Sequence, residues 1–174
     1  MSSMSDRTFI DTNVLIYAHD VDANAKHEIA KVVLRELWSE RTGVLSMQVL
    51  QEFYTVVTRK SERPLAPAQA LEWIELLEVF PCAPIDASLV KRGAENSARY
   101  RISYWDGAIL AAAEALGAST LYSEDLNHGQ TYGAVSVRNP FKDQPKTGFH
   151  EDTADLSGAC LPKTAKSGHR NTKF

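Results

Sequence analysis

Four carboxylates stand at the ends of four different apolar runs, or inside them: Asp11, Glu52, Asp106 and Asp125. Asp11 closes Thr8-Phe9-Ile10, and Glu52 sits within Val49-Leu50-Gln51-Glu52-Phe53. Asp106 opens the run from Gly107 to Ala113, and Asp125 follows Thr120-Leu121-Tyr122-Ser123-Glu124. Desolvating a charge is costly, so acids are rarely buried without a partner. No Lys or Arg occupies a matching apolar position, which points to a cation that the chain does not encode. A hard divalent metal suits a set of carboxylates best.

The segments around these acids alternate between two periods. Residues 7–10 read as a short strand, and Val14-Leu15-Ile16-Tyr17 as the start of a helix. From Ala25 to Glu40 the spacing is helical, with Ile29, Val33 and Leu37 in one row and Ala30, Leu34 and Trp38 in the next. Gly43 is the expected stop signal. Val44-Leu45 is a short strand, and Ser46 suits the N-cap of a helix over 47–60. Pro67 suits the first turn of another helix, with Leu71, Ile74 and Leu77 as its apolar face. Two prolines in 79–85 confine any strand there to a short or edge position. Asp86 is the expected cap of a helix over 87–99. Ser103 caps one over 104–116, stopped by Gly117. Thr120-Leu121-Tyr122 and Val135-Ser136-Val137 complete the strands. Such alternation implies an α/β fold of three layers, a short parallel sheet flanked by helices.

At 174 residues the chain is long enough for one domain with a real core, placed at 7–142. Residues 143–174 lack a helical or strand period and read as a flexible C-terminal extension, with five Lys/Arg against four acids. No membrane-spanning run or signal peptide is evident, and Cys82 and Cys160 form no metal motif or disulfide framework, so a reducing cytoplasm is expected. A net charge of −3 argues against nucleic-acid binding by bulk electrostatics. It leaves a nuclease open, because a metal held by the acids presents positive charge to a phosphate.

Taken singly, each acid has an ordinary explanation. Asp11 before Thr12-Asn13 fits a turn or helix cap. Glu52 could pair with Arg59 on its helix, and Asp125 could be a loop acid. Asp106 with Ser103 fits a capping box. Position supports a joint reading: Asp11 and Asp125 both follow a strand, on the rim where open parallel sheets bind ligands.

The order of motifs carries a resemblance. Phe9-Ile10-Asp11-Thr12-Asn13-Val14-Leu15 looks like the opening motif of PIN domains, a class of metal-dependent ribonucleases. Gln51-Glu52-Phe53 resembles the second motif, Ser103 to Ala113 the third, and Tyr122-Ser123-Glu124-Asp125-Leu126 the fourth. Asn127-His128-Gly129-Gln130 and Asn139-Pro140-Phe141 are similar to the closing segment of the VapC-type toxins of toxin–antitoxin pairs. The likeness spans residues 7–141. Gly107 departs from the alanine usual after the third acid, and a small residue there is expected to be tolerated.

This resemblance implies an endoribonuclease dependent on Mg²⁺ or Mn²⁺, with Asp11, Glu52, Asp106 and Asp125 as catalytic residues. Asp11 and Asp106 would touch the metal directly, Asp125 directly or through water, and Glu52 would orient a water. It further implies a small antitoxin covering the acidic groove, and a homodimer. Magnesium's preference for carboxylates with retained waters agrees with acids that lack a His or Cys cluster. Thr12 and Asn13 are candidates for fixing a carboxylate rotamer, and Ser123 for fixing Asp125. Each could equally be a turn-forming side chain.

Arg59, Lys60 and Arg63 near the end of one helix, and Arg99, Tyr100 and Arg101 before another, are candidates for RNA contact. Simple complements of the helix dipole are the alternative for the bases. Five histidines show no metal-ligand spacing, and His128 reads as a surface loop residue. Two rival readings are a non-catalytic PIN-like module that binds RNA or a partner, and a phosphatase resembling the haloacid dehalogenases. The latter needs an acid where Asn13 stands.

Overall fold

The computed structural model describes residues 6–142. The expected extension 143–174 lies outside the described residues.

Six strands form one sheet: β1 (Arg7–Ile10), β2 (Gly43–Ser46), β3 (Cys82–Ala83), β4 (Ala118–Tyr122), β5 (Thr131–Tyr132) and β6 (Val135–Arg138). Among the described residues, six α-helices accompany them: α1 (Thr12–His19), α2 (Ala25–Glu40), α3 (Met47–Thr55), α4 (Pro67–Leu77), α5 (Ala87–Tyr100) and α6 (Tyr104–Ala115). The strand order is β3-β2-β1-β4-β6-β5, parallel throughout except for the β5–β6 pair. Consecutive residues Phe9 and Ile10 are both fully buried, as are Val44 and Leu45. Successive side chains of a strand point to opposite faces, so both faces of this sheet are covered. This is the three-layer α/β arrangement expected from the alternation.

Topology places the site. The chain runs from β1 outward through β2 to β3, then crosses back to lay β4 against the other side of β1. Strand order therefore reverses between β1 and β4, and the residues following these two strands share one rim. The junction is closed by Asp11 N–H donating to the Tyr122 carbonyl at 3.0 Å.

Local chemistry sets the helix starts much as the caps imply. Ser46, Asp86 and Ser103 each accept a backbone N–H of their helix's first turn, from Val49, Leu89 and Asp106 respectively. Helix α6 is buried without interruption from Gly107 to Ala113, so it is enclosed rather than amphipathic.

Elsewhere the structure departs from the sequence reading. Helix α2 ends on Arg41 in the left-handed region (φ 57°), whose N–H reaches the Leu37 and Trp38 carbonyls. Gly43 is instead the first residue of β2, and a Cβ there would lie 2.6 Å from the Phe80 ring. The helix expected over 47–60 is α-helical only to Thr55 and continues as a π-helical turn, Val56–Lys60. The buried face of α4 is Ala70, Trp73 and Leu77, with Ile74 packed against its edge; of the expected face Leu71, Ile74 and Leu77, only Leu71 is exposed. Two-residue β5 was missed because its alternation is too short to register.

Candidate functional site

Asp11 is the N-cap of α1 and is buried, 4% exposed. Its carboxylate accepts three hydrogen bonds: from Thr12 N–H at 2.7 Å, from Asn13 Nδ2 at 3.2 Å and from the Ser123 hydroxyl at 2.6 Å. Asn13 Nδ2 also donates to Asp125 Oδ2 at 3.2 Å, so one amide joins the acid after β1 to the acid after β4. Thr12 Oγ1 donates to Glu52 Oε2 at 2.8 Å, and Gln48 Nε2 donates to Glu52 Oε1 at 3.0 Å. Gln48 reaches on to the Trp105 carbonyl at 3.5 Å, beside Asp106.

The electrostatics follow from this crowding. Burial pushes the Asp11 carboxyl up to about 7, and the charges of Asp125 and Glu52 push the same way against the bonds from Ser123 and Thr12. Among the described residues, none of the four acids takes part in an ion pair. Asp11, Glu52 and Asp125 are thus brought together. Asp106 is half-buried at the start of α6 and bonds reciprocally to its own cap: Ser103 Oγ donates to Asp106 Oδ2 at 2.7 Å and accepts Asp106 N–H at 3.0 Å. Among the described residues, hydrogen bonds connect this turn to the other acids through the Trp105 carbonyl and Gln48.

The other sequence candidates are placed as follows. Ser123 bonds the Asp11 carboxylate and accepts the Asp125 backbone N–H at 3.1 Å; it does not bond the Asp125 carboxylate that it was expected to hold. Glu52 is held by Thr12 and Gln48 rather than by Arg59. Arg59 and Lys60 are exposed in the π-helical turn, and Arg63 faces Asp22 at 3.4 Å. Arg99 lies over the Tyr100 ring, 5.3 Å from its centroid, and Arg101 is exposed. His128 Nδ1 accepts the Asn139 N–H at 3.0 Å and so pins a loop.

Sequence reasoning missed two groups. Gln48 lies one helical turn before Glu52, a spacing that could have flagged it. Glu124, beside Asp125, is clamped by Lys26 Nζ at 2.5 Å and the Tyr17 hydroxyl at 2.7 Å. Burial alone would raise the Glu124 carboxyl, but these two bonds outweigh it and hold it below the usual range. Lys26 and Glu124 are far apart in sequence, and no local pattern announces the pair.

The residues fit a divalent cation, with one qualification. Among the described residues no three His, Cys, Asp or Glu side chains converge as a ready-made cage. Magnesium does not need one, because it takes one or two carboxylates and keeps its waters. The Asn13 Oδ1 atom is buried and lacks a hydrogen-bond partner, which adds an unsatisfied hard oxygen beside Asp11 and Asp125. A large apolar groove lies elsewhere, lined by Met47, Leu50, Tyr54, Leu71, Ile74 and Phe80 among others. None of the four acids lines it.

Residues 8–134 match the family model described as PIN domain. A comparison with curated proteins finds no match. Among solved structures, the chain is similar to Mycobacterium tuberculosis VapC20, described as a sarcin–ricin loop cleaving toxin. The identity is 24% over 67% of this chain and 88% of that one, with a TM-score of 0.53. A toxin–antitoxin complex from Klebsiella pneumoniae is 19% identical over 76% of this chain and 97% of its own, TM-score 0.55. VapBC2 from Rickettsia felis, solved with a promoter DNA fragment, is 20% identical with the same coverage and a TM-score of 0.55.

Proposed function

The chain belongs to the PIN domain family, and from that premise we propose that it is a divalent-metal-dependent endoribonuclease acting as the toxin of a toxin–antitoxin pair. The observation that carries this reading is Asp11: a buried carboxylate with no cation beside it among the described residues, tied by Asn13 to Asp125 and by Thr12 to Glu52.

Asp11, Asp125 and Asp106 would hold Mg²⁺ or Mn²⁺. Such an ion, when bound, neutralises a phosphate, activates water and stabilises the leaving oxygen. The chain's own contribution is orientation. Ser123 and Thr12 N–H fix the Asp11 carboxylate in one rotamer, Asn13 sets its spacing from Asp125, and Thr12 and Gln48 aim Glu52 so that it can orient a water. Arg59, Lys60, Arg99 and Arg101 are exposed bases suited to RNA phosphates.

The toxin assignment is supported by the relatives described as toxins or as toxin–antitoxin complexes. A small antitoxin covering the acidic rim, a homodimer and a cytoplasmic site of action belong to the same reading. Among the described residues no helix is long and apolar enough to cross a membrane. We take residues 7–142 as the nuclease domain and 143–174 as an extension of it.

The test compares RNA cleavage by the full chain and by Asp11→Asn, with and without Mg²⁺ or Mn²⁺. Cleavage should require both Asp11 and metal, and equal cleavage by both proteins would overturn the assignment. Expression in a bacterium should arrest growth for the wild type and not for Asp11→Asn; normal growth with both would remove the toxin role.

A further inference from the structure

We propose that Trp105 is a base-stacking residue, which grips an unpaired RNA nucleotide beside the acidic rim that includes Asp106. This rests on the ribonuclease reading and adds a residue that sets which RNA the site accepts.

Trp105 is 62% exposed, more than any other large apolar side chain among the described residues. The exposure is local. From the residue after Asp106 onward, α6 is buried to Ala113, and the turn that precedes this stretch carries Asp106 itself. Of the other two tryptophans, Trp73 is buried at 4% exposed, and Trp38, though 40% exposed, packs edge-on against the buried Phe80 with ring centroids 6.2 Å apart. Among the described residues Trp105 has a single ring contact, Tyr104 on the same turn, at 5.2 Å and 71°. Such an edge contact steadies the indole and leaves ring surface open. The Trp105 carbonyl meanwhile touches Gln48, which holds Glu52, so the backbone beneath the ring belongs to the acid network.

Core packing does not account for this tryptophan. Nucleic-acid chemistry does. Aromatic side chains bind single-stranded RNA by stacking on bases, and exposed Arg99 and Arg101 immediately precede this turn to meet flanking phosphates. Within a duplex both faces of a base are already stacked, so an indole here selects unpaired nucleotides. A protein partner is the other occupant that an exposed tryptophan could serve, and the test distinguishes it.

The experiment uses the full chain carrying Asp11→Asn, which should bind RNA without cutting it. Trp105→Ala and Trp105→Phe are made in that background. Each protein is titrated with a single-stranded RNA of about ten nucleotides and with an abasic strand of equal length. Tryptophan emission of the parent should be quenched by the RNA and not by the abasic strand. Trp105→Ala should weaken RNA binding about tenfold, leave abasic binding unchanged, and be largely rescued by Trp105→Phe.

Equal RNA affinity for parent and Trp105→Ala overturns the proposal, and so does an equal loss for both strands. A parent that binds no RNA overturns it too. Should Trp105→Ala spare RNA binding and instead lose a co-expressed partner protein, the residue is a protein contact. If base-dependent binding stands while the wild-type chain proves unable to cleave RNA, the nuclease reading fails and the stacking role survives.

Discussion

Ser123 and Asp11 lie 112 residues apart in sequence, yet the serine hydroxyl donates to the aspartate carboxylate at 2.6 Å within the buried junction of β1 and β4. The bond stabilises the ionised acid, opposing the burial that favours the protonated one. Ser123→Ala should therefore raise the Asp11 carboxyl above its value of about 7. The acid limb of metal-dependent RNA cleavage should move to higher pH by about one pH unit, the worth of one hydrogen bond to a charged group. An unchanged pH profile would show that Asp11 is not the group titrating.

The same carboxyl makes a prediction for stability. Its folded value of about 7 exceeds the reference 3.8, so the folded chain binds this proton more tightly than the unfolded chain does. The stabilising contribution is complete below the reference value, declines as pH rises, and is gone above the folded value. Without divalent metal the protein should melt at a lower temperature at pH 8 than at pH 6. Added Mg²⁺ or Mn²⁺ should restore most at pH 8, where Asp11 is ionised, and Asp11→Asn should flatten both dependences. Thermal melts across pH decide this, and a melting temperature indifferent to metal would contradict a shared site.

Much of the frame was legible because it rests on local signals. The caps Ser46, Asp86 and Ser103 are read from one residue and its neighbours, and consecutive apolar residues in 7–10 and 44–45 already imply a sheet covered on both faces. The sharing of one rim by Asp11 and Asp125 followed from strand ends alone. What was illegible depends on tertiary partners. The end of α2 on Arg41 uses a left-handed residue that few sequences advertise, and Gly43 is dictated by the Phe80 ring. Ser123 was assigned to its sequence neighbour Asp125, whereas the fold delivers its hydroxyl to Asp11. Hydrogen-bond targets across a sheet are set by register, which a single sequence does not display.

Glu124 holds the loop of Asp125 through Lys26 and Tyr17, and Phe141 closes the cluster edge-on to Tyr17 at 5.0 Å. The Lys26–Glu124 pair is partly exposed, so breaking it should alter global stability by less than about 1 kcal/mol. Its effect on geometry is larger, because Asp125 is the next residue and is tied to Asp11 through Asn13 and Ser123. Glu124→Gln should leave the melting temperature nearly unchanged while raising the metal concentration for half-maximal cleavage and lowering the rate by up to about a hundredfold. A large drop in melting temperature with normal cleavage of the remaining folded protein would instead make the clamp a purely structural device.

Gly107 corrects an expectation directly. A small residue was expected to suffice after Asp106, but a Cβ there would lie 2.3 Å from the Gly93 carbonyl oxygen and 2.9 Å from Ser97 N, both backbone atoms of α5. Alanine would gain about 1 kcal/mol of helix propensity, whereas overpacking against a rigid backbone costs about 1–3 kcal/mol, and contact this close favours the upper end. Gly107→Ala should therefore lower the melting temperature by several degrees. Gly93→Ala, whose nearest neighbours lie at 3.0–3.2 Å on Ala108, should cost less. Relief of the Gly107 clash requires α5 and the first turn of α6 to separate, and Asp106 sits on that turn. The variant should thus also require more Mg²⁺ or Mn²⁺ for cleavage, an effect not expected of Gly93→Ala. Thermal melts and metal titrations of both variants check the ranking, and a Gly107→Ala protein as stable as the wild type would show that the two helices are not locked at this contact.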